Sequence, residues 1–442
     1  FFFKQKTAYE IKECDWSSDV CSSDLRPGTQ LVRAKLTGRT ETATFTATAS
    51  VSLTDVNAGN FSVCGIATDG TAMCWGYGAD GQLGKLANLS STTAITTSVS
   101  TADTLNGPFL AFRSLNVGKN HACGVTIGRD IYCWGSNNAG QLGAGLAGGT
   151  PSKWKGDSPW RAVSAGEFNT CGLAPGGFVY CSGLNDQGQL GNGAFTPGTG
   201  SATPVLAVSA ADSLFSSVAV GQSFTCGMPS RGTSVPSCWG LNTSGQIGQG
   251  AVNTRYVVPT RITSGGALPT AYDTTSLVAG NLHACAIATV GGTVGATYCW
   301  GGNGYGQVGN GVTTNQNLPV VVSGGLALVQ LTAGAFHTCG LTATGTAYCW
   351  GRNTSGQLGD GTTTSSAVPV AVSGALTFRS ISAGELFTCG VAGTPGTSGG
   401  TTASAAAVYC WGDNEYGQIG NTTVATSNNT PRLTPIKISF IP

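Results

Sequence analysis

The sequence has few charged residues and no long apolar run. Asp, Glu, Lys and Arg make up 9% of the 442 residues, and the formal net charge is +1. A chain so close to neutral lacks the basic surface that binds nucleic acid or an anionic membrane. It also contains no run of about 18 apolar residues that could form a membrane-spanning helix. We therefore expect no nucleic-acid partner and no membrane insertion.

The sequence contains no arrangement of residues suited to catalysis or metal binding. The histidines, His121, His283 and His337, each lie two residues before a cysteine at one repeated position, which indicates a structural hydrogen bond. Asp360 and Asp413 lack the alternating oxygen ligands and final Glu of a calcium loop. No Ser-His-Asp or Cys-His arrangement remains outside this pattern. We expect no enzyme activity, no catalytic residue, no metal and no cofactor.

The chain is instead rich in glycine, with 68 residues, and in Ser, Thr, Asn and Gln. These residues favour turns and strands over helices. The composition therefore predicts an all-β protein.

Two stretches precede the repeating part of the chain. Residues 1–25 lack the apolar region of a signal peptide and resemble a translated sequencing adapter, so we expect a disordered artefact there. Residues 26–50 alternate apolar and polar side chains in two runs that meet at Thr37 and Gly38, which predicts a hairpin. This stretch is similar to the C-terminal hairpin of bacterial immunoglobulin-like domains on surface and secreted proteins. The resemblance implies a truncated domain and a fragment of a longer protein.

From residue 51 to 442 the chain repeats one segment, seen at residues 332–361 as TAGAFHTCGLTATGTAYCWGRNTSGQLGDG. Seven copies are present, and their Gly-Gln-aliphatic-Gly signatures begin at Gly81, Gly140, Gly188, Gly245, Gly306, Gly356 and Gly417. The spacing of about 48 to 61 residues is typical of four-stranded propeller blades.

A tryptophan follows the second cysteine of six copies. These residues are Trp75, Trp134, Trp239, Trp300, Trp350 and Trp411. Ser182 takes the same position in the third copy. A large ring at one repeated position predicts packing between neighbouring blades.

Each copy also contains two cysteines across a predicted hairpin. Apart from Cys14 and Cys21, the pairs are Cys64 and Cys74, Cys123 and Cys133, Cys171 and Cys181, Cys226 and Cys238, Cys285 and Cys299, Cys339 and Cys349, and Cys389 and Cys410. Such pairs are compatible with disulfides, although buried reduced cysteines would also fit a core position. Disulfides would indicate an extracellular or cell-surface location. Zinc is disfavoured because each pair belongs to a different blade.

The repeat contains the segments SAG, HTC, VYCWG and GQLG in this order. This pattern resembles the repeat of the regulator of chromosome condensation family. The resemblance implies a seven-bladed β-propeller closed by strands from both termini, which would share one blade. It also implies function through protein contacts, since the family includes a nuclear guanine-nucleotide exchange factor and a secreted bacterial β-lactamase inhibitor.

One segment departs from the repeat. Lys153, Trp154 and Lys155 stand in a stretch that we interpret as a loop without an equivalent in other copies. An exposed tryptophan between two cations is a plausible interface anchor. We therefore predict that these three residues bind a partner. Trp160, in contrast, takes the position of Phe112 and Phe378 and is predicted to be core.

The sequence thus predicts a monomeric, secreted or cell-surface bacterial scaffold whose propeller loops bind a protein or a glycan. The alternative is guanine-nucleotide exchange on a small GTPase, the activity for which the family is named. Paired cysteines and the lack of a basic nuclear-targeting tract disfavour this alternative.

Overall fold

The structure is a computed structural model of the chain. It describes residues 14–15, 20–21, 28–35, 42–49, 53–84, 91–95, 110–143, 148–156, 159–195, 197–208, 214–230, 235–252, 255–263, 269, 271–290, 293–393, 395, 407–420 and 430–438. Most of the predicted adapter stretch, including residues 1–13, therefore lies outside the described residues.

Seven four-stranded antiparallel sheets form the blades of a propeller, and each sheet contains four consecutive strands. The first strands, which lie at the inner edge of each blade, are Leu53–Ala58, Phe112–Val117, Ala162–Ala165, Phe215–Val220, Val278–Ala279, Leu328–Ala333 and Phe378–Ala383. The second strands are Ser62–Ala67, His121–Thr126, Asn169–Leu173, Phe224–Pro229, His283–Val290, His337–Thr342 and Phe387–Ala392. The predicted seven-bladed, all-β fold is confirmed.

The third strand of each blade carries the second cysteine, and the fourth strand lies at the outer edge. The third strands are Ala72–Gly76, Ile131–Gly135, Val179–Leu184, Ser237–Gly240, Thr293–Gly301, Ala347–Gly351 and Val408–Gly412. The fourth strands are Ser91–Ile95, Gly148–Lys153, Gly200–Leu206, Tyr256–Arg261, Gln316–Val321, Ser366–Ala371 and Arg432–Lys437.

Two small antiparallel pairs and one short helix complete the described structure. The pairs are Cys14–Asp15 with Val20–Cys21 and Gly28–Lys35 with Thr42–Ala49. The second pair agrees with the predicted hairpin, whereas its assignment to an immunoglobulin-like domain stays a prediction. The helix is a single 3₁₀ turn at Pro175–Gly177, and the described part of the chain contains no helix able to span a membrane.

The second and third strands of each blade form the hairpin that carries the cysteines. In the sixth blade Cys339 stands directly opposite Cys349 in the register. The turn between them closes where Gly345 adopts a φ of 86°, a conformation that costs glycine no steric clash. All seven predicted pairs lie at disulfide distance, each with a Cα–Cα separation of 4.1 Å. Opposite positions in a non-hydrogen-bonded pair account for this short separation.

The recurring tryptophans are buried between blades, as predicted. Each indole Nε1 donates a hydrogen bond to the main-chain oxygen of the glutamine in the preceding copy; Trp350, for example, donates to Gln307 at 2.9 Å. In the last pair, Trp75 of the first blade donates to Gln418 of the seventh at 2.9 Å. The tryptophan therefore both fills the apolar interface and satisfies a loop carbonyl.

A ring of seven glycines follows the first strands and brings neighbouring blades into close contact. These glycines are Gly59, Gly118, Gly166, Gly221, Gly280, Gly334 and Gly384. A Cβ atom on any of them would lie 2.2–2.6 Å from the carbonyl oxygen of the next glycine in the ring. The contact from Gly384 to Gly59 completes the circle. Only glycine permits this approach, which explains the repeated glycine before each cysteine.

Closure of the ring differs from the expectation. We predicted that strands from both termini share a blade; this is wrong, because the first and seventh sheets each contain four consecutive strands. The described propeller begins with a first strand and ends with a fourth strand, so each blade is formed by one continuous stretch of the chain. The two blades meet through side chains: Ser382 accepts a hydrogen bond from Ala58 N at 2.9 Å, and Arg379 donates to the carbonyl oxygens of Leu53 and Thr54 at 2.9 Å each.

Candidate functional site

The seven first strands surround a central channel. Its cavity has a volume of about 220 Å³ and is lined by the first strands, the glycine ring and the residue after six of the seven glycines. Small side chains such as Ala58, Ala165 and Ala383 leave the centre open. Concave sites at the centre of a rigid scaffold are the usual location of a binding surface.

One end of the channel, which we call the mouth, is ringed by the residues that follow the seven glycines. They are Asn60, Lys119, Glu167, Gln222, Asn281, Ala335 and Glu385. The glycines before them are identical, yet these residues differ in charge, length and hydrogen-bonding capacity. A constant frame therefore presents seven side chains of five types in a circle.

The mouth carries opposite charges on neighbouring blades. Lys119 Nζ forms an ion pair with Glu167 and lies 5.6 Å from the centroid of the Phe168 ring. Glu167 is 92% buried, so the pair is largely shielded from solvent. Burial raises the pKa of Glu385, and the positive charges of Lys119 and Arg352 lower it only in part. The mouth thus has a satisfied ion pair on one side and a destabilised carboxylate on the other.

Aromatic residues extend the mouth outward over two blade interfaces. Phe61, Tyr77 and Tyr416 form a cluster between the seventh and first blades, with ring centroids 5.0–6.4 Å apart. Between the fifth and sixth blades, the guanidinium of Arg352 lies over Tyr305 at 5.1 Å. Half-buried aromatic rings beside charged groups are characteristic of protein-binding surfaces. We call the mouth together with these rings the mouth face.

The predicted partner-binding segment does not form an exposed site. Trp154 is fully buried, packs edge-on against Trp160 at 4.9 Å and donates its Nε1 hydrogen to Ser182 Oγ at 2.9 Å. The prediction that it is an interface anchor is therefore wrong. Its main-chain nitrogen donates to Ile131 O as Val322 N does to Thr297 O, so the position has equivalents in other blades.

The flanking lysines are exposed, in contrast to Trp154. Lys153 forms an ion pair with Asp130 at 2.9 Å, and that hydrogen bond raises its pKa. Lys155 is also exposed. Their role in partner binding stays a prediction, now without the aromatic anchor that motivated it. Trp160 is buried at the predicted core position.

The three histidines are structural, as predicted. Each Nε2 lies within hydrogen-bond distance of a threonine on the next blade: His121 with Thr170 at 2.8 Å, His283 with Thr338 at 2.9 Å and His337 with Thr388 at 2.9 Å. Thr388 Oγ1 donates its own hydrogen to Gln357 O at 3.0 Å, so Nε2 of His337 must be the donor in their pair. Burial lowers the pKa of His121 and His283 to about 4 and that of His337 to about 3.

Within the described residues, no group of three His, Cys, Asp or Glu side chains is arranged to hold a metal ion. Sequence reasoning missed the mouth residues, although a signal was available. The position after the repeated glycine holds five residue types in seven copies, whereas the glycine before it is constant. Such a position in a rigid frame indicates selection for contacts rather than for packing.

The architecture and its repeated inter-blade contacts define a seven-bladed β-propeller. Two sequence profiles described as the Regulator of chromosome condensation (RCC1) repeat match it, one at residues 53–82, 112–141 and 328–357 and the other at 130–173, 295–341, 344–391 and 406–442. Together they cover just over half of the chain, which therefore belongs to the regulator of chromosome condensation repeat family.

Solved structures with the same fold cover nearly all of the propeller. Human WBSCR16 has a TM-score of 0.65 and 16% identity, over 86% of this chain and 92% of its own. Prp20p from Saccharomyces cerevisiae has a TM-score of 0.63 and 18% identity, over 88% and 87%. Yeast Prp20 bound to Kap60 has a TM-score of 0.66 and 17% identity, over 92% and 91%. At these identities the likeness is one of fold.

Proposed function

We propose that the protein is a non-enzymatic binding scaffold whose mouth face binds a protein partner. The observation that carries the proposal is the mouth itself, where seven constant glycines are followed by side chains of five different types. Aromatic and charged residues surround this ring, a composition that resembles binding hot spots. The structural relatives include Prp20p, whose reported binding to Gsp1p and histones and structure with Kap60 are consistent with a role in protein contacts.

We also propose an extracellular or cell-surface location. The seven cysteine pairs at disulfide distance are compatible with an oxidising compartment. A glycan ligand is an alternative to a protein on the same surface, but ion-paired charges such as Lys119 and Glu167 favour a charged protein partner.

A competition between matched baits tests this function. The wild-type protein, a mouth variant and an edge variant are immobilised and incubated with the same mixture of secreted proteins. The mouth variant replaces Gln222 and Asn281 by Ala, and the edge variant replaces Phe195, an exposed ring under Arg255, by Ala. We expect a bound protein that is lost from the mouth variant and kept by the edge variant. Equal capture by all three baits would contradict the proposal.

Guanine-nucleotide exchange is the second candidate, and it rests on family membership and on the likeness in fold to Prp20p. Its test is the release of a fluorescent guanine nucleotide from a panel of small GTPases. Acceleration that disappears in the mouth variant would favour exchange over simple binding.

A further inference from the structure

Three aromatic residues meet where the seventh blade closes against the first. Phe61 and Tyr77 belong to the first blade, and Tyr416 reaches them from the loop of the seventh. The Tyr416 ring lies 5.3 Å from Phe61 and 5.0 Å from Tyr77 by centroid. All three residues are half-buried, so part of each stays open to solvent.

The same three positions between the fifth and sixth blades are occupied by Tyr305, Phe336 and Arg352. The ring centroids of Tyr305 and Phe336 lie 5.6 Å apart. The Arg352 guanidinium is 5.1 Å from the Tyr305 centroid and 5.8 Å from the Phe336 centroid. At this interface the two rings hold a guanidinium through its attraction to their π faces. At the closure Tyr77 takes the position of Arg352, so a third ring replaces the cation and packs 6.4 Å from Phe61 and 5.0 Å from Tyr416. Over Phe61 and Tyr416, in contrast, no described Lys or Arg is stacked.

Carboxylates surround the cluster at the closure. Asp413 and Glu415 are neighbours of Tyr416 in the loop, and Glu385 stands in the mouth ring beside them. The charge of Glu415 is the largest cause of the raised pKa of Tyr416, so its negative field reaches the phenol. The ion pairs of the described residues are Lys119 with Glu167 and Lys153 with Asp130. Asp413, Glu415 and Glu385 take part in neither pair, and Asp413 accepts a hydrogen bond from Gln418 Nε2 at 2.7 Å.

We propose that this closure patch, defined by Phe61, Tyr77, Tyr416, Asp413 and Glu415, anchors an arginine side chain of the protein partner. The proposal rests on the proposed function, because it names the group that the mouth face binds. The rings supply π faces and the carboxylates supply opposite charge. Arginine fits better than lysine because its planar guanidinium stacks on rings and is less strongly hydrated.

Short peptides with blocked termini test the chemistry without a known partner. The probes are Gly-Gly-Arg-Gly-Gly and the same peptide with lysine or with citrulline, the neutral counterpart of arginine. The readout is the NMR spectrum of the full chain with ¹³C-labelled tyrosine rings. We expect the arginine peptide to shift the signals of Tyr77 and Tyr416 in a saturable manner. The citrulline peptide should leave them unchanged, and the lysine peptide should bind more weakly.

Two charge-neutral variants locate the site. Glu415→Gln and Asp413→Asn keep the shape of the patch, and each should weaken the arginine peptide about fivefold, equivalent to about 1 kcal/mol for one lost charge contact. Phe195→Leu, a change at the remote ring that carries Arg255, should have no effect. Near-ultraviolet circular dichroism checks that each variant is folded.

Equal shifts by the arginine and citrulline peptides would overturn the proposal. Tighter binding of lysine, or affinity unchanged in both variants, would overturn it as well. These results are separable from failure of the proposed function. Partner capture that depends on the mouth, combined with no preference for arginine, removes the closure patch alone. Specific arginine binding without any mouth-dependent partner removes the proposed function and keeps the patch.

Discussion

The indole Nε1 of Trp154 donates a hydrogen bond to Ser182 Oγ at 2.9 Å, and Ser182 donates in turn to the main-chain oxygen of Gln141 at 3.4 Å. At the six other blade interfaces the repeated tryptophan donates directly to the main-chain oxygen of the equivalent glutamine. The Trp154 ring also lies against Gly143, as the Trp239 ring lies against Gly191. Trp154 therefore supplies, from the end of a different strand, the ring that the third copy lacks.

Moving the tryptophan back to its repeated position should restore the ordinary interface. Trp154→Ala should cost about 3–5 kcal/mol of unfolding free energy because it empties a buried ring site. Ser182→Trp alone should cost about 1–3 kcal/mol because two rings then compete for one space. The double variant Trp154→Ile/Ser182→Trp imitates Ile262 and Trp300 of other blades and should regain most of the loss. Urea unfolding measures all of these variants.

Strictly additive losses in the double variant would show that the two sites are independent. That result would contradict the substitution of one ring for the other. A control at Trp160, which stays in its own repeated position, should not be rescued by Ser182→Trp.

This pair also shows where inference from the sequence ends. The repeat identified the blades, the cysteine partners and the buried tryptophans, because each of these is a property of one position in every copy. Trp154 was misread because its role depends on Ser182, 28 residues later and in a different strand. A comparison of equal positions cannot detect compensation between unequal ones.

The closure was misjudged for a related reason. All neighbouring strands are antiparallel and of similar length, so the repeat does not reveal which strand begins a blade. The closing contacts do not mark the closure in the sequence either. The hydrogen bond from Ala58 N to Ser382 Oγ has counterparts such as Ala383 N to Thr332 Oγ1, and the position of Arg379 also holds an arginine in other copies, at Arg113 and Arg161. The mouth residues, in contrast, were visible as varying positions after constant glycines, and only their meeting in one circle needed the structure.

The buried histidines should make the protein sensitive to acid. Folding lowers their pKa from 6.5 to about 3–4. The histidines therefore do not reduce the free energy of unfolding above pH 6.5, and this free energy decreases as the pH falls toward 4. Each histidine should contribute about 1.4 kcal/mol per pH unit within this window, since only the unfolded chain takes up the proton. The raised pKa values of Glu385 and Asp413 act in the opposite direction and reduce the net slope. Urea unfolding at several pH values measures the slope.

A matched double variant isolates one histidine. His337→Phe with Thr388→Val copies the natural neighbours Phe387 and Val63, so the protein should fold. The slope between pH 6 and 4 should fall by one histidine's share, about 1.4 kcal/mol per pH unit. An unchanged slope would show that His337 is not the group that resists protonation.

The seven cysteine pairs should be oxidised and resistant to reductant in the folded protein. All fourteen residues are fully buried, so a thiol reagent reaches them only after a blade opens. Peptide mapping without reduction should recover the seven predicted crosslinks. Full reduction in urea should then lower the free energy of unfolding by about 3 kcal/mol for each short loop. Free thiols at these positions in native protein would contradict both the crosslinks and the extracellular location.

The glycine ring should be most sensitive where no peptide chain joins the blades. A Cβ on Gly384 would lie 2.4 Å from Gly59 O, and one on Gly118 would lie 2.3 Å from Gly166 O, so both alanine variants meet the same clash. Gly304→Ala is the control, because nothing lies within 4 Å of its added Cβ, and it should change stability by less than about 0.5 kcal/mol.

The two ring variants should differ in where they open. At Gly118 the chain still connects the second blade to the third, so the clash should be absorbed locally. Near Gly384 the described contacts between the seventh and first blades are made by side chains and by the glycine ring, and the clash should separate the two blades. Hydrogen exchange should therefore rise in the first and seventh blades of Gly384→Ala but stay near wild-type there in Gly118→Ala. Equal hydrogen exchange of the first and seventh blades in both variants would contradict this prediction. It would mean that the interface between these two blades is as strong as the other blade interfaces, although no strand is shared across it.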